Sequence, residues 1–290
     1  MTSRLFTRKA AALGIAAVLA LAIAVSEAPA GTAATTISPN CGTTVVRKAD
    51  GTAWHCSWVD NFDGTSLSPN RWTVLTSRTA NFGTRDDCFV NSPNNIAVAN
   101  GILRLTTRRT AAFQCATGNG SYTATGTSAT ISTIGHFAQT YGRYQIRAKW
   151  SYTTRPGLQA SFWMWPKGSN GALWPITGEL DVAEWFSQYP DRAIPYLHTG
   201  TSWLNPSTAT NNYCTISNPW DWHVYTLEWA AKSIRISYDG KTCLTNSGGA
   251  PFNTPYLISL TQAFGLTTNK PTSATPFPST LQVSYLRVWK

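Results

Sequence analysis

From residue 43 onward, short β-branched and aromatic runs alternate with clusters of Gly, Pro, Asn and Ser. Residues 102–107 follow Asn100-Gly101, residues 144–150 follow Gly142, and residues 224–229 and 281–289 have the same strand-length character. In Ser233–Tyr238, just before Asp239-Gly240, Ile234, Ile236 and Tyr238 alternate with Ser233, Arg235 and Ser237. A period of two predicts a strand with one wet face. No long stretch repeats every 3.6 residues, so the pattern predicts an all-β sandwich or barrel. There is no internal repeat and no Pro/Ser-rich linker. The richest loop, residues 272–280, lies between two late strands, so one domain is expected.

The start of the chain follows another pattern. Arg4, Arg8 and Lys9 precede an uncharged apolar run over residues 10–25, followed by Ala28-Pro29-Ala30 and Thr32-Ala33-Ala34. This is the layout of a secretory signal peptide over residues 1–34. The run is shorter than the ~20 residues that cross a bilayer comfortably, so cleavage and secretion are expected rather than a retained anchor. Residues 35–53 read as an N-terminal extension and 54–290 as the main domain.

Composition narrows the classes. Of 290 residues, 42% are hydrophobic and 12% charged, which excludes a disordered chain. The formal charge of +10 falls to +8 once residues 1–34 are set aside. The positive residues are scattered and form no basic run, so no nucleic-acid partner is expected. All six cysteines, Cys41, Cys56, Cys88, Cys115, Cys214 and Cys243, lie after residue 34. An even number in an exported chain reads as disulfides, for which 15 pairings exist. Closeness in sequence favours Cys41–Cys56, Cys88–Cys115 and Cys214–Cys243. A zinc site is disfavoured, because there is no CxxC pair and the four His are dispersed.

The candidate chemistry sits where acids concentrate. The whole chain holds only 13 acidic residues, yet three fall in Gly178-Glu179-Leu180-Asp181-Val182-Ala183-Glu184. On a regular strand Glu179 and Asp181 share a face, while Glu184 would point the other way. One extra residue in a β-bulge at Val182 or Ala183 would bring all three to one side. Close carboxylates divide into one ionised and one protonated group, the division that glycoside hydrolysis uses. A calcium site or a solvated strand face is the plainer alternative. The apolar Leu180, Val182, Ala183, Trp185 and Phe186 argue against the solvated face.

These residues resemble the active-site strand of glycoside hydrolase family 16, in the bulged E-x-D-x-x-E form of laminarinase-like bacterial members. Trp58-Val59-Asp60-Asn61-Phe62-Asp63-Gly64, residues 100–105, Ser161-Phe162-Trp163-Met164-Trp165-Pro166, residues 222–229 and residues 285–289 are similar to other strands of that family. The resemblance covers nearly all of residues 54–290. It implies a jelly-roll β-sandwich of two antiparallel sheets with a concave cleft.

The resemblance also implies roles. Glu179 would be the nucleophile, Glu184 the general acid and then base, and Asp181 the group between them that tunes the nucleophile. A carboxyl separation of about 5–5.5 Å would give retention of configuration. Trp174 and Trp163 match cleft tryptophans, and Trp165 alternates onto the face of Trp163. Sugar rings pack their C–H faces on such indoles. His198 matches a histidine set beside the acid–base glutamate, whereas His223 and Trp185 read as structural. Many relatives hold calcium with acids where Asn61 and Ser284 stand here, so no calcium, or a weak site, is expected. The early loop, residues 79–90, has no counterpart at the cleft rim.

The expected activity is endo-hydrolysis of β-1,3-glucosidic bonds by double displacement. No organic cofactor, a polysaccharide partner, a monomer and no membrane contact after signal cleavage are expected. The alternatives are a hydrolase or transglycosylase for another polymer such as a galactan, and a non-catalytic polysaccharide-binding lectin. The lectin has no use for clustered acids on an apolar strand.

Overall fold

The computed structural model describes residues 40–80 and 86–290. The expected signal segment lies outside the described residues. The strands run in chain order β1 (Cys56–Asp60), β2 (Thr73–Val74), β3 (Cys88–Phe89), β4 (Ile96–Ala99), β5 (Ile102–Thr117), β6 (Gly120–Ser132), β7 (Gly142–Lys149) and β8 (Leu158–Pro166). They continue with β9 (Glu179–Phe186), β10 (Ile194–His198), β11 (His223–Ala230), β12 (Ser233–Tyr238), β13 (Lys241–Asn246), β14 (Tyr256–Phe264) and β15 (Ser279–Trp289).

The strands make two layers. One runs β10-β9-β8-β14-β6, with β2 on the far side of β6. The other runs β5-β15-β7-β11-β12-β13, with β4 beside β5 and β1 beside β15. Neighbours are antiparallel except β3, which lies parallel to β6. The expected all-β sandwich is what forms. The expected short strand at 102–107 is instead the first part of the 16-residue β5. Its early residues pair with β15 and its later ones with β6, while the end of β6 pairs with β14, so this hairpin joins the layers.

Alternation builds the core. Tyr144, Ile146 and Ala148 of β7 point inward, between the outward Arg143, Gln145, Arg147 and Lys149. On β15 a bulge between Val283 and Tyr285 adds one residue, so Leu281, Val283, Leu286 and Val288 all reach the core. From the opposite layer they meet Phe162, Met164, Leu180, Trp185, Ile258 and Leu260 in one cluster. Each such fully buried side chain contributes roughly 1.5–3 kcal/mol relative to exposure. The wet face expected for β12 holds at Ser233 and Arg235, whereas Ser237 is buried. Asp239 and Gly240 have φ of 48° and 80°, the left-handed pair that a tight hairpin turn requires.

The three disulfides are Cys41–Cys56, Cys88–Cys115 and Cys214–Cys243, the pairing favoured by closeness in sequence. The second ties the segment carrying β3 to the protruding end of the β5–β6 hairpin. No helix among the described residues is long and apolar enough to cross a membrane.

Candidate active site

Strand β9 carries the three clustered acids, and its register explains how they share a face. On β8, Ser161 pairs with Glu184 and Phe162 with Ala183, but Trp163 then pairs with Asp181. One residue of β9 is therefore extra, and the bulge falls at Val182–Ala183. The same shift appears against β10, where Ile194 opposes Glu184 and Tyr196 opposes Asp181. Leu180, Val182, Ala183 and Trp185 are fully buried in the core, while Glu179, Asp181 and Glu184 line a cleft. Gly178 precedes the strand with φ of 86°, and a Cβ there would lie 2.3 Å from the Tyr256 hydroxyl. Only glycine enters the strand at that point.

The bulge carbonyl has a specific partner. Tyr238, buried at the inward end of β12, donates its hydroxyl to Val182 O at 2.9 Å. Sequence alone assigns Tyr238 no role in the site. The available signal was that a buried tyrosine hydroxyl needs a partner, but nothing in the sequence says that the partner lies on β9.

The cleft has two adjoining chambers. One, of about 250 Å³, holds the three acids together with Gln159, Ser161, Thr261, Phe89 and Leu266. The other, of about 650 Å³, is walled by Trp165, Ile134, Leu257 and the segment Gly168–Gly171. Trp163 and Glu179 face both. The Trp163 indole donates to Thr261 Oγ1 at 3.0 Å, and Thr261 is hydrogen-bonded in turn to Thr130, which fixes the cleft floor. Trp165 stands edge-on to Trp163, with ring centres 6.2 Å apart, and donates to Ser169 O. Two of the three tryptophans named from the sequence, Trp163 and Trp165, therefore line this cleft. Phe89 of β3 and Leu266, which follows β14, join its wall, and nothing in sequence links either to β9.

The acids occupy different environments. Trp174, nearly half exposed, donates its indole N–H to Glu179 Oε2 at 2.6 Å. The Glu179 pKa is raised by burial, an effect that the His198 field and the Trp174 hydrogen bond offset only in part. Glu184 is pushed well above the usual carboxylate range by burial and by the fields of Asp181 and Glu179. Among the described residues its side-chain hydrogen-bond partner is the Gln159 amide, which donates to Oε1 at 2.9 Å. Asp181 is also pushed well up, by burial and by Glu179.

His198 pairs across the strands with Glu179, and its Nε2 lies 2.9 Å from Asp181 Oδ2. Burial lowers the His198 pKa as it raises that of Asp181, so the two are held by one shared proton more than by opposite charges. The carboxylate closest to His198 is thus Asp181, and the imidazole stacks on Tyr196 at 4.1 Å. His223 is far from this group and pairs with Asp239 at 2.6 Å.

Among the described residues, one atom each of Glu179, Asp181 and His198 lies within 4.8 Å of the others. Burial favours the neutral form of all three. Between β1 and β15, Asn61 accepts from Arg287 and Ser284 accepts from Arg147, both at 3.3 Å. Guanidinium groups there leave no acidic cage for a hard cation.

Residues 84–259 match the family model of the glycosyl hydrolases family 16. The chain belongs to this family. It is 28% identical over 260 residues to glucan endo-1,3-beta-glucosidase A1 of Niallia circulans, covering 80% of this chain and 37% of that one. It is also 28% identical over 258 residues to a beta-glucanase of Rhodothermus marinus, covering 82% and 85%. It is thus similar to well under half of the Niallia protein. Among solved structures, the laminarinase of Rhodothermus marinus superposes with a TM-score of 0.68 at 26% identity, over 82% of this chain and 97% of that one. The endo-beta-1,3-glucanase of Pyrococcus furiosus shares the fold with a TM-score of 0.72 at 23% identity, covering 85% and 97%.

Proposed function

We propose that the protein is a secreted endo-β-1,3-glucanase of family 16 that cleaves with retention of configuration, Glu179 acting as nucleophile and Glu184 as acid and base. The observation that carries this reading is the division of environments along one bulged strand. Glu179 holds an indole N–H that favours its ionised form, whereas Glu184 is buried without a cationic partner and keeps its proton.

In the first step the Glu179 carboxylate attacks the anomeric carbon. The bond to the leaving glycosidic oxygen breaks, and that oxygen takes the proton of Glu184. In the second step water attacks the same carbon, gives a proton to Glu184, and releases ionised Glu179. Asp181, sharing a proton with His198, keeps Glu179 and Glu184 from facing a third full negative charge. Trp163, Trp174 and Trp165 offer apolar faces to successive sugar rings.

The names of the Niallia and Rhodothermus relatives support β-1,3-glucan as the polymer. A galactan is the second reading, because a keratan-sulfate endo-1,4-beta-galactosidase of Sphingobacterium multivorum is 28% identical over 170 residues. No calcium is required in this reading, given the arginines at Asn61 and Ser284. The test is reducing-end release from laminarin, mixed-linkage glucan, agarose and keratan sulfate. Release from laminarin by the wild type, abolished in Glu179→Ala, is expected. Release from agarose or keratan sulfate alone would replace the substrate, and binding of laminarin without release would leave a lectin.

A further inference from the structure

The layer opposite the cleft turns an unusual surface outward. On β7, Arg147 and Lys149 point away from the core, and Arg287 does so on the adjacent β15. Arg147 lies 4.7 Å and Lys149 5.2 Å from the Trp222 ring centre, so one indole carries two cations. Arg287 sits 4.0 Å over the ring of Tyr285, which pairs across the strands with Arg147. The Tyr285 phenol stands in the fields of Arg287, Arg147 and Arg143 together.

Carboxylates are scarce on this face. Glu228 is shared by Arg143 and Arg235, and Asp239 is held by His223. Arg147, Lys149 and Arg287 have no salt bridge among the described residues; the two arginines donate only to the neutral Ser284 and Asn61. The Arg287 Nε is buried with no hydrogen-bond partner among the described residues. Like charges gathered without a counter-charge leave a field that an anion relieves. Their heads are held in place by ring contacts, so little side-chain freedom is lost on binding.

We propose that this outward face binds an anionic polysaccharide, a chain carrying carboxylate or sulfate groups, through Arg147, Lys149 and Arg287. Neighbouring outward positions are about 4.8 Å apart across strands and roughly 6.7 Å along one, which spreads the cations over several sugar units. Single-stranded nucleic acid is a poorer match, because it stacks bases on free aromatic faces. Here Trp222 and Tyr285 are already covered by cations. The bound chain would lie on the side away from the cleft, holding the enzyme in an acidic matrix while Glu179 and Glu184 stay free to work.

The test is electrophoresis of the whole protein through native gels containing polygalacturonate, dextran sulfate or uncharged dextran. Wild type is expected to be retarded by the two charged polymers and not by dextran, with retardation fading as salt rises. Arg147→Gln/Lys149→Gln/Arg287→Gln is expected to bind about tenfold more weakly or worse, with laminarin turnover unchanged. Lys167→Gln/Lys232→Gln/Lys241→Gln removes the same charge elsewhere and should bind within about twofold of wild type. Equal losses in both triple variants would reduce the effect to net charge and overturn the proposal. So would displacement of the protein from polygalacturonate by duplex DNA at a lower concentration than by dextran sulfate. Should the first triple variant fail to fold, Lys149→Gln alone must still weaken retardation by about twofold or more; no change would overturn the proposal equally.

Discussion

Glu179 and Glu184 differ less in chemistry than in what surrounds them, and single-residue changes should separate their roles. Glu184→Gln is expected to lower laminarin turnover by about 10²–10⁴-fold, the contribution of a positioned general acid. With an aryl glycoside the leaving group needs no proton, so the variant should release aryl alcohol in a fast burst and then stall. The activity should be bell-shaped in pH. Its acid limb reports ionisation of Glu179 and its alkaline limb loss of the Glu184 proton. A hydrogen bond to an ionised carboxylate lowers its pKa, so Trp174→Phe should move the acid limb to higher pH. Gln159→Leu should move the alkaline limb to higher pH for the same reason. An acid limb unmoved in Trp174→Phe would mean that Glu179 is not the group that must ionise. The three acids could be read from their spacing, but their division of labour could not. It depends on Trp174, Gln159 and His198 reaching them across strands.

Strand β9 is the element on which the site depends, and its bulge is what lets an odd spacing serve one face. A buried carbonyl at the bulge costs about 1–3 kcal/mol if left without a donor. Tyr238→Phe removes that donor while keeping the ring, and is expected to lower Tm by several degrees and kcat more than KM. A kcat equal to wild type at equal stability would show that the bulge holds without it. The acids themselves strain the element. Burial raises the folded pKa of Glu184, so its neutral form is the stable one. The stability it allows is fully present below the unfolded value, near 4, and is lost as pH rises from there towards the folded value. Glu184→Gln is therefore expected to raise Tm at pH 7 and to change it little at pH 4; the melting curves at the two pH values check this.

Legibility differed from strand to strand for physical reasons. β12 and β15 announced themselves through alternation and turn residues. β14 has all nine residues buried, Ser259, Thr261 and Gln262 among them, so polar and apolar positions carry no period there. β5 outruns its apolar stretch because its later half pairs with β6 in a protruding hairpin rather than facing the core. The bulge was legible because three acids on an apolar strand had to be reconciled with one cleft. Tyr238 was not, since its partner is 56 residues away.

In the whole molecule, two sheets share one core and present opposite faces to solvent; the Cys214–Cys243 disulfide packs into that core, while Cys41–Cys56 and Cys88–Cys115 pin segments outside it. The Cys88–Cys115 bond fixes the strand that carries Phe89 to the cleft wall. Replacing both cysteines with alanine is expected to cost about 3 kcal/mol, and so several degrees of Tm. Laminarin KM should rise with it, since the wall loosens; an unchanged KM would place Phe89 outside the path of the substrate. Chelation of divalent cations is expected to leave Tm unaltered, because arginines stand where an acidic cage would be needed. A drop in Tm on chelation would reveal a metal held elsewhere.

All of this rests on Glu179 forming a covalent bond to the sugar. The most direct measurement is peptide mass spectrometry after incubation with a fluorinated laminaribioside carrying a dinitrophenyl leaving group, which slows release of the intermediate. A glycosyl adduct on Glu179 is the expected result. An adduct on Asp181 or Glu184, or none while the dinitrophenolate is released, would contradict the assignment of the nucleophile.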